Sequence, residues 1–200
     1  SYRIKGKQDG TDYFEKIEAE KQARLEEIRE QESEVVQLAR RAVETYARED
    51  EVIDPPEPLP PELSKQAGIF VSIKIHGNLR GCIGVTQPTQ SNLAEEIIRN
   101  AIQAGFKDPR FDPIKAGELE ELAYTVDVLG EPERVEDKEE LDPEKYGVIV
   151  RKGRSTGLLL PNLEGINSVK KQLEIAKRKA GLSPDDEDVE LMRFEVTRYE

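Results

Sequence analysis

Five prolines crowd into eight residues, Asp54-Pro55-Pro56-Glu57-Pro58-Leu59-Pro60-Pro61, and this run divides the chain. Each proline fixes its own φ, lacks a backbone N–H and pushes the residue before it out of the helical region. The segment must therefore be extended. Helix-patterned, charged sequence lies before it, and alternating, turn-punctuated sequence lies after it. It reads as a stiff connector crossing a domain surface in preference to a ligand for a proline-binding module.

Ahead of the prolines, residues 1 to 10 are polar, contain Gly6 and Gly10, and read as a tail. From Asp12, with Asp12 or Thr11 as cap, Phe14, Ile17, Lys21, Leu25 and Ile28 recur at three- and four-residue spacing. The stripe is narrow and the other faces carry charges at i,i+4 spacing, as on a solvated helix or linker. A second helix, Ser33 to about Arg48, is wider-faced, with Val35, Leu38, Ala39, Ala42, Val43 and Tyr46 on one side. We therefore expect a charged helical extension or inter-domain linker over residues 1–32 and a folded domain over 33–200. The chain opens at Ser1 and its only methionine is Met192. It reads as part of a longer protein.

Behind the prolines, Ile69 to Ile75 alternates, with Val71, Ile73 and Ile75 on one face and Phe70, Ser72, Lys74 and His76 on the other. Gly77-Asn78 predicts a hairpin turn, with a return strand from Leu79 to Thr86. Asn92-x-x-Glu95 has capping-box form and opens a helix with Leu93, Ile97, Ile98, Ala101, Ile102 and Ala104 as its apolar face. A rigid loop, Asp108 to Pro113, leads to a strand over Glu121–Leu129. A hairpin over Gly147–Leu160 turns near Gly153-Arg154, a helix over Ser168–Ala180 stops at Gly181, and Val189–Val196 reads as a last strand. Hairpins and helices without regular βαβ alternation predict an α+β fold with a mostly antiparallel sheet and flanking helices.

Hydrophobic and charged residues each make up 36% of the chain, enough apolar material for one core. Net charge is −12, which disfavours binding to a phosphate backbone over a broad basic face. No apolar run approaches the roughly 18 residues needed to span a bilayer. A single cysteine excludes an internal disulfide framework and fits a reducing, cytoplasmic setting.

That cysteine lies in Leu79-Arg80-Gly81-Cys82-Ile83-Gly84, with the only histidine, His76, just upstream. A two-residue loop would pair His76 with Leu79 and set Cys82 beside Ile73 in the apolar layer. A three-residue loop would pair His76 with Arg80. It sorts Val71, Ile73, Ile75, Ile83 and Val85 onto one face and His76, Arg80, Cys82 and Thr86 onto the other. The second sorting is cleaner and is preferred, although a bulge at Gly81 would change the count. On that face Arg80 could lower the cysteine pKa and hold an anion. Gly81 and Gly84 would admit a ligand close to the backbone, and His76 would accept a proton. Arg110 could complete an anion pocket with Arg80. The structural alternative makes Cys82 a small buried hydrophobe, the glycines a relief for a crossing helix, and the Arg110 loop an anchor for Phe111 in the core. One Cys and one His do not make a metal site, and the sequence names no cofactor.

Taken together, these segments resemble the AMME chromosomal region (AMMECR) family, protein A of the AmmeMemoRadiSam system in bacteria and archaea. The likeness covers roughly residues 33 to 196. It rests on Gly68-Ile69-Phe70-Val71, Leu79-Arg80-Gly81-Cys82-Ile83-Gly84, Phe106-Lys107-Asp108-Pro109-Arg110-Phe111, Gly147-Val148-Ile149-Val150-Arg151, Gly157-Leu158-Leu159-Leu160-Pro161 and Lys179-Ala180-Gly181-Leu182. The resemblance implies an α+β domain with a larger and a smaller lobe, the hexapeptide lining or bordering a cleft. It also implies partnership with a Memo-type domain, related to extradiol dioxygenases and fused upstream or separate, and with a radical-SAM protein. Asp112 stands where the family usually has proline, and Ile175-Ala176 where many members resemble a cysteine-containing segment. A mechanism needing a second cysteine is not expected. Two functions follow. One is a thiol enzyme component in which Cys82, Arg80 and His76 act on an anion held with Gly81, Gly84 and Arg110. The other is a non-catalytic interaction module using the same face.

Overall fold

A computed structural model of the chain describes residues 9–200. Helix α1 spans Asp9–Gln31, so Thr11 and Asp12 lie inside it instead of capping it, and most of the expected tail falls outside the described residues. Helix α2, Glu34–Glu49, is capped by the Ser33 hydroxyl, which accepts from the Val36 N–H at 3.3 Å. Its Val35, Leu38, Ala39, Ala42 and Val43 are buried as the spacing requires. The proline run then crosses without helix or strand until a 3-10 turn at Pro61–Leu63.

Strands β1 (Ile69–Ile75), β2 (Asn78–Val85), β3 (Leu122–Leu129) and β8 (Val196–Tyr199) form one antiparallel sheet in the order β2-β1-β3-β8. Helix α3 (Leu93–Phe106) opens at the Asn92 cap, whose side chain accepts from Glu95 N–H at 2.9 Å. With α2 it covers one face of that sheet. Ile69, Val71 and Ile73 of β1 and Tyr124, Val126 and Val128 of β3 meet Val43, Ile97 and Ala101 there. Each such aliphatic side chain contributes roughly 1.5–3 kcal/mol by leaving water.

The second sheet takes β4 (Glu133–Val135), β5 (Gly147–Lys152), β6 (Ser155–Leu159) and β7 (Glu190–Phe194), in the order β4-β7-β5-β6, again antiparallel. Val148, Val150, Leu159 and Leu191 turn one face to Leu173 and Ala176 of α4 (Val169–Lys179). Ile149 turns the other way, and with Phe194, Leu158 and Met192 it packs on Phe70 from the uncovered face of the first sheet. That small apolar cluster joins the two lobes.

The single last strand expected over Val189–Val196 is two strands. The chain leaves the second sheet after Phe194 and enters the first at Val196, and Glu195 between them accepts from Gly130 N–H at 2.8 Å. Alternation continues through the crossing, so nothing in the pattern marks the change of sheet. The short strand β4, built largely of charged residues, also carries no such pattern. No helix among the described residues is long and apolar enough to cross a membrane.

Candidate functional site on the open sheet face

The hairpin turns at His76-Gly77, not at Gly77-Asn78. Both residues have positive φ, 50° and 80°, as a two-residue hairpin turn of type I′ requires. Lys74 therefore faces Leu79. One extra residue, Arg80, then intervenes before Ile73 meets Gly81, Ser72 meets Cys82 and Val71 meets Ile83. The tight turn and this bulge together give the polar–apolar sorting anticipated for a longer loop. Val71 and Ile83 share the helix-covered face, and Ser72 and Cys82 share the other.

On that open face Ser72 also pairs with Thr125 of β3, so Cys82, Ser72 and Thr125 form a row across three strands. The half-buried Cys82 Sγ lies 3.3 Å from Ser72 Oγ. Two residues along β3 from Thr125, buried Asp127 is held bidentately by Arg198, at 2.7 and 2.9 Å. Asp127, Arg198, Lys145 and Asn162 line a cavity of 170 Å³ where the second lobe meets this face. With strands about 4.8 Å apart and about 3.3 Å per residue, the face from Cys82 to Asp127 runs roughly 12 Å.

Strand β2 is the edge of its sheet, and its outward backbone groups are met by a loop. Asp108 Oδ2 accepts from the Cys82 N–H at 2.9 Å, and Arg110 Nη2 donates to the Cys82 carbonyl at 3.1 Å. Arg110 also donates to both Asp108 oxygens, from Nε at 2.9 Å and from Nη2 at 2.7 Å. The Arg110 guanidinium holds the buried Asp108 carboxyl well below the usual carboxylate range, against the opposing effect of burial; the Cys82 and Arg110 N–H groups add to the lowering.

Arg80 is engaged elsewhere. Its Nε and Nη2 donate to Glu118 at 2.7 and 3.1 Å, and its Nη1 donates to the Asp112 carbonyl at 2.7 Å. Glu118 is correspondingly lowered, chiefly by the Arg80 hydrogen bond. Thus Arg110, not Arg80, is the arginine at Cys82, and each guanidinium has its own carboxylate. His76 occupies the exposed turn with Nε2 2.8 Å from Glu121. It lies four strand positions beyond Ser72, roughly 13 Å, and is not brought to the thiol.

A Cβ on Gly81 would collide with the Ala104 carbonyl oxygen of α3, and one on Gly84 with the Ile69 carbonyl and the Phe70 ring. The room these glycines provide is taken by the protein itself. Phe111 is half-buried against Arg110, while Ile114, 4% exposed, anchors the loop in the core. Sequence reasoning missed Ser72, Thr125, Asp108, Asp127 and Arg198. Ser72, Thr125 and Asp127 carried a signal, through the alternation of their strands. Among the described residues, no group of three or more His, Cys, Asp and Glu is placed to hold a metal ion.

Two helix-backed antiparallel sheets, joined by a small cluster and carrying a clamped glycine-cysteine edge, define a two-lobed α+β domain. The AMMECR1 family model matches residues 36–199, and the chain belongs to that family. A Thermotoga maritima protein is 53% identical over 166 residues, covering 82% of this chain and 95% of the relative. A Clostridium acetobutylicum protein is 46% identical over 191 residues, 94% of this chain but 40% of that relative. The crystal structure of an uncharacterized Pyrococcus horikoshii protein superposes with a TM-score of 0.74 at 37% identity, covering 82% of this chain and 88% of that one.

Proposed function

We propose that this is a binding domain whose open sheet face, from Cys82 through Ser72 and Thr125 to the Asp127–Arg198 cavity, receives a small polar or anionic ligand. The hexapeptide shapes the wall and Cys82 is not a nucleophile. One observation carries this reading: the two arginines expected to form the anion pocket are each bonded to a carboxylate, Arg80 to Glu118 and Arg110 to Asp108. A thiolate needs uncompensated positive charge nearby, and here that charge is already matched. The chain works alongside a second domain, of Memo type by resemblance, and with a radical-SAM protein. In support, the Clostridium relative is far longer than this chain, and its match over 94% of the chain runs back past the family region into α1. The free cysteine suits the cytoplasm.

Thiol chemistry is the second reading, favoured by the 3.3 Å Ser72–Cys82 contact on an open face. Iodoacetamide alkylation of the native protein at neutral pH separates the two, since only Cys82 can react. The binding reading expects the native thiol to react about tenfold slower than in urea. A native thiol faster than the unfolded one would establish the second reading instead. Small carboxylates and phosphates should shift the NMR signals of Ser72, Thr125 and Asp127; shifts confined to other surfaces would remove the face from consideration.

A further inference from the structure

The proline run has a second consequence. Running from the end of α2, its first residues lie beside the outer side of α3 and close a groove of 600 Å³, within the range of small-molecule sites. Ile98 and Ile102 of α3, 3% and 8% exposed, lie in its floor with Ile53 and the Tyr46 ring, which packs on Phe106 at 4.7 Å. Pro55 fixes its own φ and restricts Asp54 before it, which stiffens the far end of the strap wall.

Its rim is polar and partly unsatisfied. Arg99 of α3 and Lys107 at its C-terminal cap line the groove, both exposed, and neither side chain makes an ion pair or hydrogen bond among the described residues. This contrasts with Arg40, Arg80, Arg110 and Arg198, all matched to carboxylates. Of the two carboxylates in the lining, Glu95 is occupied by the Ser91 N–H and the Asn92 side chain at the helix start. Asp54, on the strap, has no such partner. An apolar floor with two uncommitted cations on one wall suits a molecule with a flat or branched apolar body and one anionic group.

We propose that this groove is a binding site for an amphipathic small anion, an aromatic or aliphatic acid, distinct from the open sheet face. The two sites share α3: its outer side forms the groove, and its Ala104 carbonyl sits against Gly81 of the hexapeptide. A ligand in the groove therefore leans on the element that supports the Cys82 edge from behind.

Fluorescence titration of the native chain with anilinonaphthalene sulfonate tests the site, with N-phenylnaphthylamine as the uncharged analogue. Saturable binding of the sulfonate, tighter than that of the analogue, is expected. Arg99→Gln and Lys107→Gln should each weaken it about threefold, and Asp54→Asn should strengthen it by a similar factor, as exposed charge pairs do. Arg41→Gln, on α2 away from the groove, should change nothing. Equal binding of the neutral analogue, or no response to the groove variants, overturns the proposal. So does a concentration-dependent dimer lost on Arg99→Glu, which would make the groove a self-interface.

Discussion

Asp108 and Cys82 are joined at 2.9 Å, carboxylate to backbone N–H, along the outer edge of the first sheet. An edge strand exposes groups that invite pairing with another chain. Here a loop takes the place of a neighbouring strand, with Asp108 accepting and Arg110 donating on the two sides of one residue. The same ion pair that stiffens the loop also closes the edge, so fold protection and site geometry depend on a single buried carboxylate.

Asp108→Asn should therefore be costly although nearly isosteric. An amide cannot accept two guanidinium bonds while also accepting two N–H groups, so a buried donor is left unmade. A loss of about 2–4 kcal/mol is expected in urea denaturation at neutral pH. A variant as stable as the parent would show that the clamp is ornamental. Hydrogen exchange at the Cys82 amide should accelerate in step with the loss.

Acid should find the same group. The folded pKa of Asp108 lies well below its ordinary value near 4, so its contribution is complete above about pH 4 and is lost as pH falls further towards the folded value. Denaturation midpoints should fall between neutral pH and about pH 3, and the fall should be smaller in Asp108→Asn, which has no proton to take up. Parallel slopes for the two proteins would assign the acid sensitivity to other carboxylates.

Much of this was legible from residue types alone. The alternation Val71, Ile73 and Ile75 located β1, and the spacing of Val35, Leu38, Ala42 and Val43 located the buried face of α2, because both follow from one-dimensional periodicity. What stayed hidden depends on through-space pairing. The partners of Arg80 and Arg110 sit 38 and 2 residues away, at Glu118 and Asp108, and no spacing rule picks them out. The bulge is expected as a contingency at Gly81 and falls one residue earlier, at Arg80, between the Lys74–Leu79 and Ile73–Gly81 pairs. The turn itself sits at two successive positive-φ residues, and His76 is an uncommon occupant of that conformation.

Gly81 should tolerate no side chain. A Cβ there meets the Ala104 carbonyl of α3, and a Cβ on Gly157 of β6 meets the Ala176 carbonyl of α4, so each lobe brings a helix onto a hairpin through a glycine. Gly81→Ala and Gly157→Ala should each cost about 2–3 kcal/mol by urea denaturation, since backbone cannot swing aside as a side chain can. Gly117→Ala, with nothing near the added carbon, is the control and should be close to neutral. Equal stability of all three would mean that the helices shift freely over the sheets.

Arg80→Lys separates a structural arginine from a ligand-holding one. The guanidinium reaches both oxygens of Glu118 and the carbonyl of Asp112 at once, and its side chain is only 14% exposed. A lysine keeps the charge but offers a single point in place of a planar fork, so it cannot meet all three acceptors. Arg80→Lys should lose about 1–3 kcal/mol of stability. In a double-mutant cycle with Glu118→Gln, most of that loss should be shared, because removing either partner removes the same paired bonds. An arginine whose task is to hold an anionic ligand gives the opposite result: stability unchanged on Arg80→Lys, additive effects with Glu118→Gln, and a deficit seen only in ligand affinity.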